Sequence, residues 1–147
     1  MKCVLCEINN NQIDCFSIYK DTHCHAILDK FKLNCGHVLI LSQSHKQSIT
    51  ELTNIERQHL MNMASNVSLA MKKANHKIKD IHFLINDGPG AYQHIPHVHL
   101  HLIPRYQFDT LYLLFNILTR FINPLNYLKN KKMQHSAEKI SHYLTHR

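Results

Sequence analysis

Apolar residues gather in short segments over the first part of the chain, and their spacing there is typical of strands. Residues 16–18 and 26–28 are two such segments, and the polar stretch 20–25 between them predicts a turn. Residues 37–41 form a third segment, rich in strand formers and entered through Gly36. The pattern therefore predicts a two-stranded hairpin followed by a central strand.

The spacing of apolar residues then changes from that of a strand to that of a helix. Over roughly residues 50–77 they recur at intervals of three and four, with Thr50 and Thr53 as candidate caps. Residues 81–85 are again apolar and predict a fourth strand, closed by the turn-forming residues 86–90. One long helix is thus expected between the third and fourth strands.

Histidine and apolar residues alternate strictly over residues 97–103. Because successive side chains of a strand point to opposite faces, His97, His99 and His101 are expected together on one face. The intervening apolar residues would then form the opposite face. This last strand is expected to pack its apolar face on the core and to present imidazoles on the other.

These elements predict an α+β fold, in which an antiparallel sheet of about five strands carries the long helix on one face. Beyond residue 107 the sequence changes character. Residues 111–122 are apolar at helical spacing, Pro124 interrupts them, and a basic segment ends the chain. We therefore expect one domain over residues 1–107 and a helical tail over residues 108–147, packed on the same domain or on a dimer partner.

The composition limits the kinds of binding partner that are expected. Lysine and arginine outnumber aspartate and glutamate by 17 to 10, an excess that attracts anions such as phosphates. The densest basic group, Lys129, Lys131 and Lys132, has no stacking aromatics among it, so a nucleic-acid partner is not expected. Fourteen histidines are the more informative excess.

Export and membrane insertion are also not expected. The first residues reach a polar stretch without an apolar run of roughly 7–15 residues, as a signal peptide requires. The longest apolar run is far below the roughly 20 residues of a membrane span. In the cytoplasmic location that this predicts, the five cysteines are free thiols or metal ligands.

Three histidines at a spacing of two suit two kinds of chemistry. Neutral imidazoles can converge on a zinc ion, or one can attack phosphorus while its neighbours donate hydrogen bonds to phosphate oxygens. A merely polar sheet face is the third reading of the same pattern. The unbroken apolar face behind the histidines favours the first two.

The residues that carry a family resemblance lie in several separate segments of the sequence. They are the histidine-rich strand 97–103, the segment from Leu28-Asp29 through Cys35-Gly36-His37 to His45, the long helix, and Asn86-Asp87-Gly88-Pro89 with Gln93. Together they resemble the histidine-triad (HIT) superfamily over residues 3 to about 106. Individual features resemble both its phosphoramidase (Hint-like) and its diadenosine-polyphosphate-hydrolysing (Fhit-like) branches.

The resemblance implies a nucleotide hydrolase or transferase that acts at an α-phosphate. His99 would be the nucleophile and would form a transient nucleotidyl-histidine, while His101 and His37 bind phosphate oxygens and assist the leaving group. The implied substrate is an adenosine phosphoramidate or a diadenosine polyphosphate, with AMP or GMP as product. No catalytic cofactor is implied.

The resemblance also implies how the substrate is held. Asn86 and Gln93 match positions that contact the phosphates, and Asp29 matches a carboxylate that accepts hydrogen bonds from ribose hydroxyls. Ile27 and Leu28 would lie near the purine. Members of the family are homodimers, so a homodimer is expected here as well.

Cys3 and Cys6 have the two-residue spacing by which adjacent thiolates grip one zinc ion. The resemblance implies two further ligands, His45 and His97, which would complete a closed structural site. Free buried thiols are the alternative reading of the pair.

Two departures from the family pattern leave other functions open. His94 stands where many members carry a serine or threonine, and residues 30–35 lack the usual prolines, so a looser base pocket is expected. A nucleotide-binding regulatory module with low turnover is therefore one alternative. A zinc-dependent hydrolase that uses the three alternating histidines as ligands is another.

Overall fold

The computed structural model describes residues 2–119 and 130–145 of the chain. These residues contain five strands, four helices and two short 3-10 turns. In chain order they are α1 (Val4–Asn9), β1 (Ser17–Lys20), β2 (Cys24–Leu28), β3 (Val38–Ser42), a 3-10 turn (Ile49–Glu51), α2 (Asn54–Ala74), β4 (Asp80–Ile85), a 3-10 turn (Pro89–Ala91), β5 (His99–Arg105), α3 (Thr110–Thr119) and α4 (Asn130–Thr145).

The strands form one antiparallel sheet in the order β1-β2-β3-β5-β4. The hairpin β1-β2 and the central place of β3 are as the sequence predicts. The last strand in the chain, β5, lies between β3 and β4 and is therefore covered by a neighbour on each side. This placement makes β5 a rigid support for the side chains that it presents.

The two faces of the sheet differ as the alternation predicts. In the β3-β5 register, Leu41 pairs with His99 and Leu39 with His101, so these histidines share a face with the odd-numbered residues of β3. On the other face Ile40 and Leu100 lie fully buried against α2. The apolar face holds the main core, which leaves the imidazole face for a site.

Helix α2 begins where the cap chemistry of the sequence predicts. The Thr53 hydroxyl accepts a hydrogen bond from the Glu56 amide, and the Glu56 carboxylate accepts one from the Thr53 amide. The other candidate cap, Thr50, belongs instead to the preceding 3-10 turn. The side chains of α2 that reach the core recur at three and four: Leu60, Met63, Ala64, Val67, Ala70, Met71 and Ala74.

The first histidine of the alternating run lies outside the strand, contrary to the prediction. Strand β5 begins at His99, and His97 lies in the bend before it. Both ring nitrogens of His97 have partners away from the other two histidines, because Nε2 lies 2.9 Å from the Ser42 carbonyl oxygen and Nδ1 faces two cysteines. The three histidines therefore belong to two separate sites.

The tail contributes to the core of the main domain. Met133, Ala137 and Ile140 of α4 are buried in the cluster that α2 and the sheet form. The predicted continuation of α3 to residue 122, the break at Pro124 and the lysine at 129 lie outside the described residues. None of the helices in the described ranges is long and apolar enough to cross a bilayer.

A buried histidine on β2 makes the stability of this fold depend on pH. The His25 ring is 1% exposed, lies between the Asn9 side-chain oxygen and the Ser17 hydroxyl, and has its pKa lowered to about 4 by burial. The unfolded chain then takes up the proton first, so stability is complete above about pH 6.5 and is lost towards pH 4.

We expect His25→Gln to remove this pH dependence. Between pH 7 and pH 4 the wild type should lose about 3 kcal/mol more unfolding free energy than the variant, from the 1.36 kcal/mol that each pKa unit represents. Urea unfolding at several pH values measures it. His76→Gln, at an exposed position, is the control that should follow the wild type; parallel curves for all three proteins would refute the assignment.

Candidate functional site

A cavity of about 900 Å³ opens on the imidazole face of the sheet. Two of its edges carry polar groups from β5 and from the segment after β2, while its interior is largely apolar. Its lining includes Leu5, Ile8, Ile27, Leu28, Asp29, Asn86, His94, His99 and His101. An apolar interior with few polar groups at one end is the usual design of a site for a planar, partly charged ligand.

His99 lies at the polar end of the cavity and is 8% exposed. Its Nδ1 donates a hydrogen bond to the His97 carbonyl oxygen at 2.7 Å. A neutral imidazole carries one proton, so this bond places the lone pair on Nε2. His99 therefore has the tautomer and the fixed orientation that a nitrogen nucleophile requires.

Behind His99 lies a chain of three buried groups. The His101 ring is 4.9 Å from the His99 ring, centroid to centroid, and its Nδ1 lies 3.0 Å from Nε2 of His37. On its other side His37 Nδ1 lies 3.3 Å from the Asp29 carboxylate. The three ligand atoms are close enough to be read as a metal site, but the His37–His101 hydrogen bond and the contact between His37 and Asp29 already account for the cluster.

This arrangement separates the roles that the sequence analysis gives to the two histidines. His101 lines the cavity, whereas His37 is 1% exposed and stands behind it. His37 can therefore act on a phosphate only through His101. Asp29 borders the cavity and also accepts a hydrogen bond from the Phe31 amide at 2.8 Å, which orients the carboxylate.

The loop after β4 contains the two amides predicted to bind phosphate. Asn86 borders the cavity and donates to the Tyr92 carbonyl oxygen at 3.3 Å. Both ends of the Gln93 side chain are engaged within the protein, since its oxygen accepts from the Gly88 amide and its nitrogen donates to the Gln47 carbonyl, each at 2.8 Å. Gln93 thus fixes the loop, and its contact with phosphate stays a prediction.

Helix α1 supplies a wall of the cavity that the sequence analysis missed. Leu5 packs against Ile27, Leu39 and Leu41 on the imidazole face, and Ile8 packs beside this cluster. The apolar spacing of these α1 residues could have indicated it, but the neighbouring cysteines drew the interpretation to metal. Leu28, by contrast, borders the cavity but packs mainly in the core on the opposite face.

A second cluster lies where α1 meets the bend before β5. It consists of the four residues predicted as metal ligands, Cys3, Cys6, His45 and His97. His97 Nδ1 lies 3.5 Å from Cys3 Sγ and 3.4 Å from Cys6 Sγ, and His45 Nδ1 lies 3.2 Å from Cys6 Sγ. Residues from three distant parts of the sequence therefore converge with their ligand atoms inward.

The separations within this cluster match the edges of a zinc tetrahedron. Zn–N bonds of about 2.05 Å and Zn–S bonds of about 2.3 Å give edges of about 3.3 Å between nitrogens and about 3.6 Å between nitrogen and sulfur. The two Nδ1 atoms of His45 and His97 are 3.3 Å apart. In addition, His97 Nε2 donates to the Ser42 carbonyl, which leaves Nδ1 deprotonated as a ligand must be.

The electrostatics of the cluster are consistent with that fit. Burial lowers the pKa of His97 and so favours the neutral ring. Burial and the neighbouring Cys3 thiol raise the pKa of Cys6 to about 11, so a metal must displace this proton on binding. The four residues have the composition of a structural zinc site with no open position.

Comparisons with known proteins show the family of the chain. Residues 10–108 match the HIT domain family model. The adenylylsulfatase HINT3 of Arabidopsis thaliana is 33% identical over 110 residues, which are 75% of this chain and 55% of that protein. Several solved structures are similar to this chain. A hypothetical histidine triad nucleotide-binding protein of Sulfolobus tokodaii is 26% identical with a TM-score of 0.81, over 97% of this chain and 91% of the other.

A further similar structure is that of a zinc-bound histidine triad family protein of Mycobacterium smegmatis, which is 23% identical. Its TM-score of 0.74 over 93% of this chain and 94% of that one shows a shared fold. The family match spans about two thirds of the sequence and includes β1 to β5 with His99 and His101. This chain belongs to the histidine triad (HIT) family.

Proposed function

We propose that this protein cleaves its substrate at the α-phosphate of a purine nucleotide through a covalent His99 intermediate. The family is one of nucleotide-binding proteins and hydrolases, and the finer activity rests on the site. The observation that carries it is the 2.7 Å hydrogen bond from His99 Nδ1 to the His97 carbonyl, at the edge of a large apolar cavity.

The reaction has two steps. The lone pair on Nε2 of His99 attacks the α-phosphorus, the bond to the leaving group breaks, and the leaving group departs, taking from solvent any proton that it needs. Water then attacks the phosphorus of the nucleotidyl-histidine and releases a proton to solvent. The P–N bond breaks, and the nucleoside monophosphate leaves with His99 restored. His101 is placed to donate to a phosphate oxygen, where negative charge increases in both transition states.

The cavity fits the remaining parts of such a substrate. Its apolar interior, with Leu5, Ile8 and Ile27, suits a purine ring, and the Asp29 carboxylate at its edge suits the hydroxyls of a ribose. The net charge of +7, with histidines neutral, favours an anionic ligand. The Arabidopsis relative is named an adenylylsulfatase, which supports an adenylyl group on the substrate.

Zinc is the second part of the proposal. Cys3, Cys6, His45 and His97 would hold the ion, and their spacing fits its tetrahedron. Bound there, zinc would fix α1, which walls the cavity, to the bend that precedes His99. The geometry does not favour a zinc-dependent hydrolase built on the three alternating histidines, because His97 turns both of its nitrogens away from His99 and His101.

The third part of the proposal is that the protein forms a homodimer. Side chains of α3 that are more than half exposed include those of Leu111, Leu114, Phe115 and Leu118, and β4 exposes Phe83. Monomeric proteins rarely expose so many neighbouring apolar residues. A second copy of the chain would cover at least part of this surface.

Intact-protein mass spectrometry tests the covalent step. The wild type is mixed briefly with adenosine 5′-phosphoramidate, with a diadenosine polyphosphate and with adenylyl sulfate, beside His99→Ala as control. We expect an increase equal to one adenylyl group on the wild type alone, with release of AMP. The size of the adduct population would rank the three substrate classes.

Two results would overturn the proposal. An adduct that persists in His99→Ala would place the nucleophile elsewhere. Tight nucleotide binding by the wild type, with neither adduct nor AMP from any of the three compounds, would favour the regulatory binding module instead.

A further inference from the structure

Helix α3 lies beyond the matched domain but is bonded to the loop that leads to His37. Asn116 of α3 is 4% exposed, and its side-chain nitrogen donates to the Leu33 carbonyl oxygen at 2.9 Å. In the same loop Asn34 donates to Asp109, at the start of α3, at 2.6 Å. Residues 30–35, where the family's prolines are missing, are thus held to the α3 region by two buried asparagines, Asn116 on the helix and Asn34 in the loop itself.

The same loop contacts a ring nitrogen of His37, so the restraint extends to this histidine. The Leu33 amide donates to His37 Nδ1 at 3.1 Å, which requires a lone pair on that nitrogen. The proton of neutral His37 then lies on Nε2, which donates to Nδ1 of His101 at 3.0 Å. His101 in turn must carry its own proton on Nε2, as a donor to a phosphate oxygen in the cavity requires.

A neighbouring carboxylate favours the opposite arrangement. Asp29 lies 3.3 Å from the same His37 Nδ1, and an ionised carboxylate can only accept a hydrogen bond. If Asp29 captured a proton on Nδ1, His37 Nε2 would become an acceptor and His101 would turn its own proton towards it. His101 Nε2 would then be an acceptor facing the phosphate, which is the wrong polarity for catalysis.

We propose that Asn116 is a positioning residue that decides this competition. By holding the Leu33 carbonyl, it keeps the Leu33 amide aligned on His37 Nδ1 and so sets the tautomers of both His37 and His101. The tautomer assignment stands on the contacts alone, whereas its effect on catalysis rests on the proposed function. A helix outside the matched domain thereby controls the donor that faces the phosphate.

The test compares Asn116→Leu, which keeps the volume and removes the donor, with Thr119→Val. Thr119 is a matched control on the same helix, because its hydroxyl donates to the Phe115 carbonyl of its own helix. Long-range proton–nitrogen NMR of histidine-labelled protein reads the tautomers, and spectra of His37→Gln and His101→Gln assign the two rings.

In the wild type and in Thr119→Val, we expect His37 to carry its proton on Nε2. In Asn116→Leu the proton should move towards Nδ1, and kcat for AMP release should fall about tenfold while KM changes little, as for the loss of roughly one hydrogen bond. Asn116→Gln, which retains a donor, should recover part of kcat and part of the population with the proton on Nε2. A change of general stability alone would not move the ring proton.

Unchanged tautomers and kcat in a folded Asn116→Leu protein would overturn the inference. If that variant does not fold, Asn116→Ala serves in its place, since it also lacks the donor and adds neither bulk nor charge to the buried position. A wild type that releases no AMP but shows the expected tautomers, and their shift in the variant, would refute the proposed function and leave the positioning role intact.

Discussion

Replacing His99 by glycine is expected to lower kcat for AMP release by roughly 10⁴- to 10⁶-fold, the loss typical when a covalent nucleophile is removed. The ring lies at the edge of the cavity with its Nδ1 bonded to a backbone carbonyl, so glycine removes a nitrogen that is already fixed in position. Steady-state kinetics on the best substrate from the adduct experiment measures the effect. Added imidazole should restore part of the rate in His99→Gly.

His101→Ala provides the comparison. In the proposed mechanism its imidazole donates to the phosphate without forming a bond to phosphorus, so its removal should cost only about 10²- to 10³-fold in kcat, as for one oxyanion donor. The adduct should still form, more slowly. If His101→Ala were as severe as His99→Gly, or if His99→Gly kept substantial activity, the assignment of the nucleophile would fail.

The difference between these two histidines and His97 shows how much of the site could be predicted from the sequence. Strict alternation correctly placed His99 and His101 on one face of a strand and the apolar residues on the other. It also predicted His97 on that strand, and this was wrong. Periodicity carries no mark of where a strand begins, and the partners of His97 are cysteines 91 and 94 residues away in the sequence.

A structural feature was predictable from the sequence where all the residues that form it lie within a few positions of one another. Thr53 and Glu56, three residues apart, are enough to start α2, because each side chain satisfies the backbone of the other. Helix α1, in contrast, covers the cavity through contacts with β2 and β3. Asn116 likewise acts through Leu33, a residue 83 positions earlier, and nothing in its own neighbourhood distinguishes it.

Loss of the Cys/His cluster is expected to give the largest change in stability. Wild-type protein should retain one zinc ion per chain through dialysis, and Cys6→Ser should not. Because zinc binds the folded state far better than the unfolded chain, its loss should cost about 3–5 kcal/mol, or about 10–15 °C in Tm for a domain of this size. Elemental analysis and thermal unfolding measure both quantities.

Cys35→Ser is the matched control, since Cys35 is exposed and is not one of the four clustered residues. It should keep the zinc and the Tm of the wild type, and equal stability of Cys6→Ser and wild type would refute the structural role.

Activity separates a structural ion from a catalytic one. At a temperature where Cys6→Ser is still folded, it should form the His99 adduct at a rate within about tenfold of the wild type, because a closed site has no position for substrate or water. The residual effect would come from α1, which walls the cavity and is no longer fixed to the bend before His99. Complete loss of adduct formation in the folded, zinc-free protein would instead require the metal in the chemical step.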